Sequence, residues 1–574
     1  MNAYNKEYER WLASSVLTEE ERNELVSIAN DEEAKALRFT APMDFGTGGL
    51  RGTMAAGIGK MNVHTVAQAT KGLCDYIKSQ GGGSVAIAHD TRINSEFFAR
   101  TCAEVLAYNG ITSYIFDGPR PTPELSFALR ELGAIAGINI TASHNPKEYN
   151  GYKAYWEDGA QIGPEQAKVV SAERSKFDVL DMSGIMDYEE GIKSGLIIEL
   201  GADFDELYLK AVLDTAVNTN AVKEVADDLK VVYTPLHGAG YKLVPEVFRR
   251  IGLKYLYTVD DQMVPNGDFP TVEKPNPEYS AVFKLGIDIA NKVGSDLVIA
   301  TDPDSDRVGV MTRTENGDFA TISGNQMGAL LLDYVIRARR ELGILPENAY
   351  CVKSLVSTDM AYKIATDNGV MLHDVLTGFK FIGEVIKNYE AKGQKEGFLL
   401  GFEESYGYLL GSYARDKDAV EGSMMILEMT AYYKKLGMTL SDALAKLYET
   451  YGLYSERTID IYMEGLDGIE NRKRVMQNLR NNPPASIGGV ATKSVGDYKD
   501  STVRNLATGE VSSTGQPSSD VLYYTLVNDD KIIVRPSGTE PKIKIYVLAH
   551  GDDAASLEEK VRLYEKDSRK MTEV

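Results

Sequence analysis

Between residues 84 and 407, apolar and polar positions recur in the same order three times. Short apolar runs bounded by turn residues predict buried strands, and stretches with apolar residues every three or four positions predict helices. SVAIAHDTR (84 to 92), LKVVYTPLHG (229 to 238) and AYCVKSLVS (349 to 357) supply the first strands. The helix that follows is clearest at Ser95 to Tyr108, where Phe98, Cys102, Val105 and Leu106 share one face. TSYIFDG, KYLYTVD and MLHDVLTG read as second strands. Further helices come next, among them Thr122 to Gly133, with Thr122 as N-cap and Pro123 at the first helical position. AIAGINI, SDLVIA and EGFLL close the three units. The repetition predicts three α/β domains of one plan, with right-handed crossovers between parallel strands.

The flanks differ. Residues 1 to 40 predict helix, with Tyr4, Tyr8, Trp11 and Leu12 on one face and Thr18 with Glu21 as a capping box. This extension ends at Pro42 and reads as packing only. Beyond about residue 450, RTIDIYM alternates, Glu464 to Arg480 reads as a helix and VLYYTLVNDDKIIVRPS as a hairpin, which predicts a small α+β domain with antiparallel strands. The expected fold class is therefore α/β, with three tandem similar α/β domains plus a C-terminal α+β domain around one central cleft. The expected boundaries are 1–200, 201–318, 319–450 and 451–574.

Composition narrows the partners. The chain has 574 residues, 43% hydrophobic, enough for several cores. Its 62 Lys and Arg against 84 Asp and Glu give a net charge of -22, which repels nucleic acid and anionic lipid alike, so neither nucleic acid nor membrane is an expected partner. An anionic substrate would need local basic residues. Cys74, Cys102 and Cys351 are odd in number and far apart, so no disulfide framework or CxxC site is expected. The N-terminus has no apolar leader, and no apolar run approaches the roughly 20 residues that span a bilayer. A cytoplasmic protein is expected.

Each third strand ends in a different polar loop: TASHNP, TDPDSDR and GFEESYG. Strand C-termini and domain interfaces are where α/β proteins place ligands, so one cleft shared by the domains follows. Ser143 and His144 end the first, and Pro146, Asn150 and Gly151 predict an irregular, exposed loop after them. Asp302, Asp304 and Asp306 repel one another at alternate positions unless a cation sits among them. An EF-hand is excluded, because Arg307 stands where it needs Gly and Arg313 where it needs Glu. Hard oxygen ligands in small number suit Mg²⁺, the alternative being a solvated acidic turn. Glu403, Glu404 and Ser405 suit sugar hydroxyls or form an ordinary acidic turn. The glycine-rich FGTGGLRG carries Arg51, which is either a ligand-facing cation or a surface residue. Arg535, Ser537, Gly538 and Thr539 in RPSGTEPKIKIY make a good anion nest, or else a plain hairpin end. HDTR and TPLHG offer Arg92 and His237 as supporting residues.

TASHNP with YNGYK behind it resembles the phosphoserine loop of the α-D-phosphohexomutase (phosphoglucomutase/phosphomannomutase) family. FGTGGLRG is similar to that family's first loop, whose arginine faces the reacting phosphate. TDPDSDR resembles its metal loop, TGFK (Thr377 to Lys380) a substrate loop, GFEESYG its sugar-recognition loop and RPSGTEPK its phosphate-binding loop. The resemblance spans essentially the whole chain in family order, and EES looks closer to glucose-preferring members. It implies interconversion of glucose 1-phosphate and glucose 6-phosphate through a phosphoserine at Ser143, with glucose 1,6-bisphosphate as intermediate and activator. It further implies one Mg²⁺ per chain on Ser143, Asp302, Asp304 and Asp306. Arg51, His144, Lys153 and Lys380 would be catalytic, and Arg307, Gly378, Glu403, Ser405, Arg535, Ser537, Gly538 and Thr539 would bind substrate. The four domains become phosphoserine, metal-binding, sugar-binding and phosphate-binding in turn. A small-molecule sugar phosphate is the implied partner, and the chain a monomer or weak homo-oligomer. Mannose or pentose phosphates and synthesis of the bisphosphate itself stay open within the family. Outside it, an aspartyl-phosphate phosphatase and a non-catalytic sugar-phosphate sensor remain.

Overall fold

All three repeats fold in the order strand, helix, strand, helix, strand. A computed structural model describes residues 2–46, 48–463, 466–538 and 542–573. The first repeat runs Val85–His89, Ser95–Tyr108, Ser113–Phe116, Thr122–Leu132, Ala136–Ile140, and the second Lys230–Thr234, Leu243–Ile251, Tyr255–Thr258, Lys284–Val293, Leu297–Thr301. The third is Tyr350–Ser354, Met360–Asp367, Met371–Val375, Phe379–Glu390, Phe398–Glu403. In each, the first strand lies between the second and third and is parallel to both. First and third strands are buried along almost their whole length, which is why they read as unbroken apolar runs rather than as alternating ones.

After the third strand, the first two repeats turn back on themselves. Tyr149–Trp156 returns antiparallel to Ala136–Ile140 and pairs in turn with Gly49–Thr53, and Val308–Arg313 returns antiparallel to Leu297–Thr301. Two expectations change here. Asn150 and Gly151 lie in a central strand rather than in an irregular loop, and Asn150 donates to Ile93 O at 3.0 Å and Ser95 Oγ at 3.1 Å. Arg51, expected on a flexible glycine loop, is a strand residue opposite Gly151. The expected N-cap also moves by one residue. Pro121 is the cap, Thr122 is already helical, and its hydroxyl donates to Asp304 Oδ2 at 3.0 Å. A tertiary carboxylate has taken the group that a local cap would use.

By contact, the chain divides into two compact units. The first comprises residues 1–322, 383–395 and 407–439, and the second 323–382, 396–406 and 440–574. In the first unit, the N-terminal extension forms three helices, Ala3–Leu12, Glu19–Ser27 and Glu32–Phe39, with the Thr18/Glu21 capping box complete. Tyr8, Trp11, Leu17, Leu25, Ile28 and Phe39 bury together against Ala56 and Val179. Glu24 Oε2 also accepts from Ala56 N at 3.1 Å.

In the second unit, Leu453–Tyr462, Lys542–Gly551, Lys531–Pro536, Leu522–Leu526 and Val490–Asp497 form an antiparallel sheet. The 522–536 segment is the hairpin expected, and the helix is Leu466–Asn481, Glu464 lying outside the described residues. Leu355, Val356 and Leu376 of the third repeat share a core with Val521, Ile533, Tyr546 and Leu548. The three cysteines are buried and unpaired. Among the described residues, no helix is long and apolar enough to cross a membrane.

A Cβ on Gly151 would lie 2.5 Å from Thr141 O, just past one flanking strand, and 2.9 Å from Leu50 O in the other, both backbone atoms. Gly151→Ala should therefore cost about 1–3 kcal/mol, read as an earlier first transition in urea unfolding, because backbone cannot step aside as a side chain can.

Candidate active site

The loop after Ile140 is closed by its own polar groups. Thr141 Oγ1 accepts from Ser143 N at 2.8 Å, and Ser143 takes a left-handed backbone with φ +53°. Ser143 is 3% exposed, so the expected exposed position is corrected: its loop joins two paired strands and its side chain lies against Asp302. Its hydroxyl donates to Asp302 Oδ2 at 3.2 Å and lies 3.1 Å from His144 Nδ1. Arg51 Nη1 donates to Asn145 Oδ1 at 3.3 Å, tying the strand Gly49–Thr53 to the Ser143 loop.

The 302–307 loop joins Leu297–Thr301 to Val308–Arg313. Asp302 Oδ1 accepts from the backbone N of Asp306 and of Arg307, each at 3.0 Å, so an acidic side chain shapes its own turn. Asp302, Asp304 and Asp306 are buried, with one oxygen of each within 4.8 Å of the others. Lys153 Nζ is 2.8 Å from Asp304 Oδ2 and 3.8 Å from Asp306 Oδ2, while Lys417 Nζ is 3.1 Å from Asp306 Oδ2. Arg307 Nη1 pairs with Glu278 Oε1 at 2.5 Å and its Nε is 3.9 Å from Asp306 Oδ1. Burial and the two neighbouring carboxylates push the Asp302 carboxyl well above its usual range. Burial acts the same way on Asp304, but the Lys153 ammonium overrides it and holds that carboxyl below its usual range.

These residues fit a hard divalent cation. Asp304 Oδ1 and Asp306 Oδ1 are buried with no hydrogen-bond partner, and the donor set is all oxygen. Lys417 was not legible in sequence. It lies in ARDKDAV, ahead of the helix Ala419–Lys435, whose cap Asp418 accepts from Val420 N at 2.8 Å and Glu421 N at 2.9 Å. The alternating charges before an apolar helix were the available signal, and they read equally well as a simple cap.

The second unit carries the other expected residues. Glu403 is buried at the end of its strand, and its Oε1 accepts from Gly378 N at 2.8 Å, which joins the GFEESYG loop to TGFK. Ser405 is half-buried, and Ser354 Oγ donates to Glu404 Oε2 at 3.1 Å. Lys380 stands in the first turn of Phe379–Glu390, where burial lowers its ammonium to about 8. Arg535 is the last residue but one of the strand Lys531–Pro536 and donates to Tyr546 OH at 3.3 Å. Ser537 N donates to Lys542 O at 2.9 Å and Gly538 is exposed, while Thr539 lies outside the described residues.

Four domain models of the phosphoglucomutase/phosphomannomutase family match: α/β/α domain I over 42–178, domain II over 206–317, domain III over 323–451 and the C-terminal domain over 524–566. The chain is 37% identical over 516 residues to a phosphoglucomutase of Staphylococcus saprophyticus, covering 90% of this chain and 92% of that one. It is 35% identical over 532 residues to a phosphoglucomutase of Staphylococcus aureus, covering 91% and 92%. Among solved structures, a phosphoglucomutase/phosphomannomutase family protein from Burkholderia thailandensis matches with TM-score 0.64 and 17% identity, covering 92% of this chain and 97% of that one. The open form of parafusin from Paramecium matches with TM-score 0.66 and 16% identity, covering 93% and 95%. At such identities the structures speak for the fold.

Asp304→Asn should weaken binding of a divalent cation by about tenfold or more in calorimetric titration, since it removes charge from the carboxylate that Lys153 holds ionised. Equal affinity in the variant would show that the three aspartates are not a metal site.

Proposed function

The chain belongs to the phosphoglucomutase/phosphomannomutase family, and on that basis we propose that it interconverts glucose 1-phosphate and glucose 6-phosphate through a phosphoserine at Ser143, with glucose 1,6-bisphosphate as intermediate and activator. The main support is the place of the Ser143 hydroxyl, 3.2 Å from Asp302 Oδ2 at the edge of a buried cluster of three carboxylates. A magnesium ion on Asp302, Asp304, Asp306 and the Ser143 oxygen would neutralise charge on the group in transfer.

The chain's own residues account for the rest. As the bond between Ser143 Oγ and phosphorus breaks, a sugar hydroxyl oxygen bonds to phosphorus. The hydroxyl proton goes to Lys380, and Oγ takes a proton from His144 or Lys153. The reverse step, with the bisphosphate turned end for end, returns the other phosphoryl to Ser143. Burial leaves Lys380 with a substantial neutral fraction near pH 8, the state a proton acceptor needs. Arg51, held on a strand rather than a flexible loop, meets the transferring phosphoryl with little freedom to lose. Glu403 and Ser405 suit the sugar hydroxyls, and Arg307 and the Gly378 turn suit the substrate's anionic and ring oxygens. Arg535, Ser537, Gly538 and Thr539 would hold the phosphate that is not reacting. The division of labour follows the boundaries 1–200, 201–318, 319–450 and 451–574. Three buried thiols suit a reducing, cytoplasmic setting, and a free sugar phosphate requires no partner beyond a monomer or weak homo-oligomer.

Ser143→Ala should lower isomerisation by roughly four orders of magnitude or more and abolish acid-stable label from radioactive glucose 1,6-bisphosphate. Near-normal turnover in that variant would end the covalent mechanism, and label on a carboxylate instead would mark a phosphatase.

The Lys380 ammonium gives up its proton as pH rises through about 8, so kcat/KM should climb across that range and level off above it. Lys380→Arg stays charged throughout, and should lose this limb of the profile together with roughly 10² to 10⁴-fold in kcat. An unchanged pH profile in Lys380→Arg would clear Lys380 of the role.

A further inference from the structure

Arg92, from the HDTR turn after Val85–His89, has a side chain shut off from solvent. Its Nη1 donates to Pro146 O at 2.8 Å and Tyr149 O at 3.2 Å, and its Nη2 donates to the carbonyls of Ser143 and Asn145. Its Nε faces Asp90 Oδ2 at 3.1 Å. One guanidinium thus meets four backbone carbonyls of the stretch that follows Ala142, plus one carboxylate. The same Asp90 Oδ2 accepts from Thr141 Oγ1 at 2.6 Å, and Thr141 Oγ1 accepts from Ser143 N at 2.8 Å. Ser143 is therefore gripped at both its N–H and its C=O, in a backbone conformation that side-chain-bearing residues avoid and that surroundings must enforce.

The second repeat reaches the same guanidinium. The Arg92 Cζ lies 5.1 Å from the ring centroid of Phe269. Gly267 comes so close that a Cβ there would be 2.3 Å from Ile93 N. His237 braces this loop, with Nδ1 3.0 Å from Val264 O and Nε2 2.9 Å from Thr271 Oγ1, and Gln262 Nε2 donates to the same hydroxyl at 2.9 Å. TPLHG, HDTR and the 264–271 loop are thus parts of one brace that ends on the Ser143 backbone.

We propose that Arg92, backed by Phe269, is a positioning residue for phosphoryl transfer, fixing where Ser143 Oγ points. This rests on Ser143 being the phosphoryl carrier. Only a planar fork can reach four carbonyls at once; a lysine has three donors on a single point. The serine oxygen must return to one place in both half-reactions, and a displacement of about 1 Å at a reacting atom costs on the order of 10²-fold. Sugar-binding groups lie on other elements, so the loss falls on kcat rather than on KM.

Arg92→Lys should lower kcat by about 10- to 100-fold with KM for glucose 1-phosphate changed by less than about threefold, while amide exchange across 141–149 speeds up. Phe269→Leu should show the same split at about 3- to 10-fold, and it decides the matter alone if Arg92→Lys does not fold. A folded Arg92→Lys with kcat within about twofold of wild type, or a loss confined to KM, overturns the inference; so does unchanged kcat in Phe269→Leu when only that variant folds. Failure of the wild type itself to isomerise sugar phosphate or to take label on Ser143 would strike the mutase assignment instead, a result distinct from an active wild type with an indifferent variant.

Discussion

Three carboxylates buried within 4.8 Å of one another are the constraint around which the first unit is organised. Left alone, such a cluster would repel itself and forfeit hydration, and either cost alone would unfold a turn. The structure surrounds it with three cations from three parts of the chain: Lys153 from a strand of the first repeat, Lys417 from the segment ahead of Ala419–Lys435, and Arg307 from the loop itself. Arg307 also pairs with Glu278 and Lys417 with Asp416, so the cluster draws on cations that it shares with neighbouring carboxylates. That dependence makes the loop a meeting point for first repeat, second repeat and a late helix. It also leaves two carboxylate oxygens without hydrogen bonds, the vacancies in bonding that a hard cation would fill.

Rigidity reaches this site by strand pairing. Both the Ser143 loop and the 302–307 loop connect antiparallel strands, so each is pinned at both ends by a ladder of backbone hydrogen bonds. A hydroxyl on a loop pinned in this way keeps one position, because the sheet fixes the backbone on both sides of it. In the second unit the corresponding loop is steadied differently, by the Gly378 N–H on Glu403.

Environment, more than residue type, sets the acid–base properties. Burial brings Lys380 down to about 8. Two aspartates two residues apart are driven in opposite directions, Asp302 by burial among like charges and Asp304 by its ammonium partner. None of these shifts follows from the letters of the loops.

The sequence was enough to read the threefold strand and helix order, the hairpin of the C-terminal domain and the polar loops at the strand ends, because periodicity, turn residues and caps act over a few neighbouring positions. It marked Ser143, Asp302, Asp304 and Asp306 for the same reason: each stands where an apolar run stops. Folding in three dimensions is what buries Ser143, makes Arg51 a strand residue, turns Thr122 to Asp304 instead of its own helix, brings Lys417 to Asp306 and sets Arg92 on the Ser143 backbone. Each joins residues far apart in the chain, through strand register and loop closure that local patterns do not encode. A charge or hydroxyl looks the same in sequence whether it faces water or a buried carboxylate, and packing alone tells the two apart.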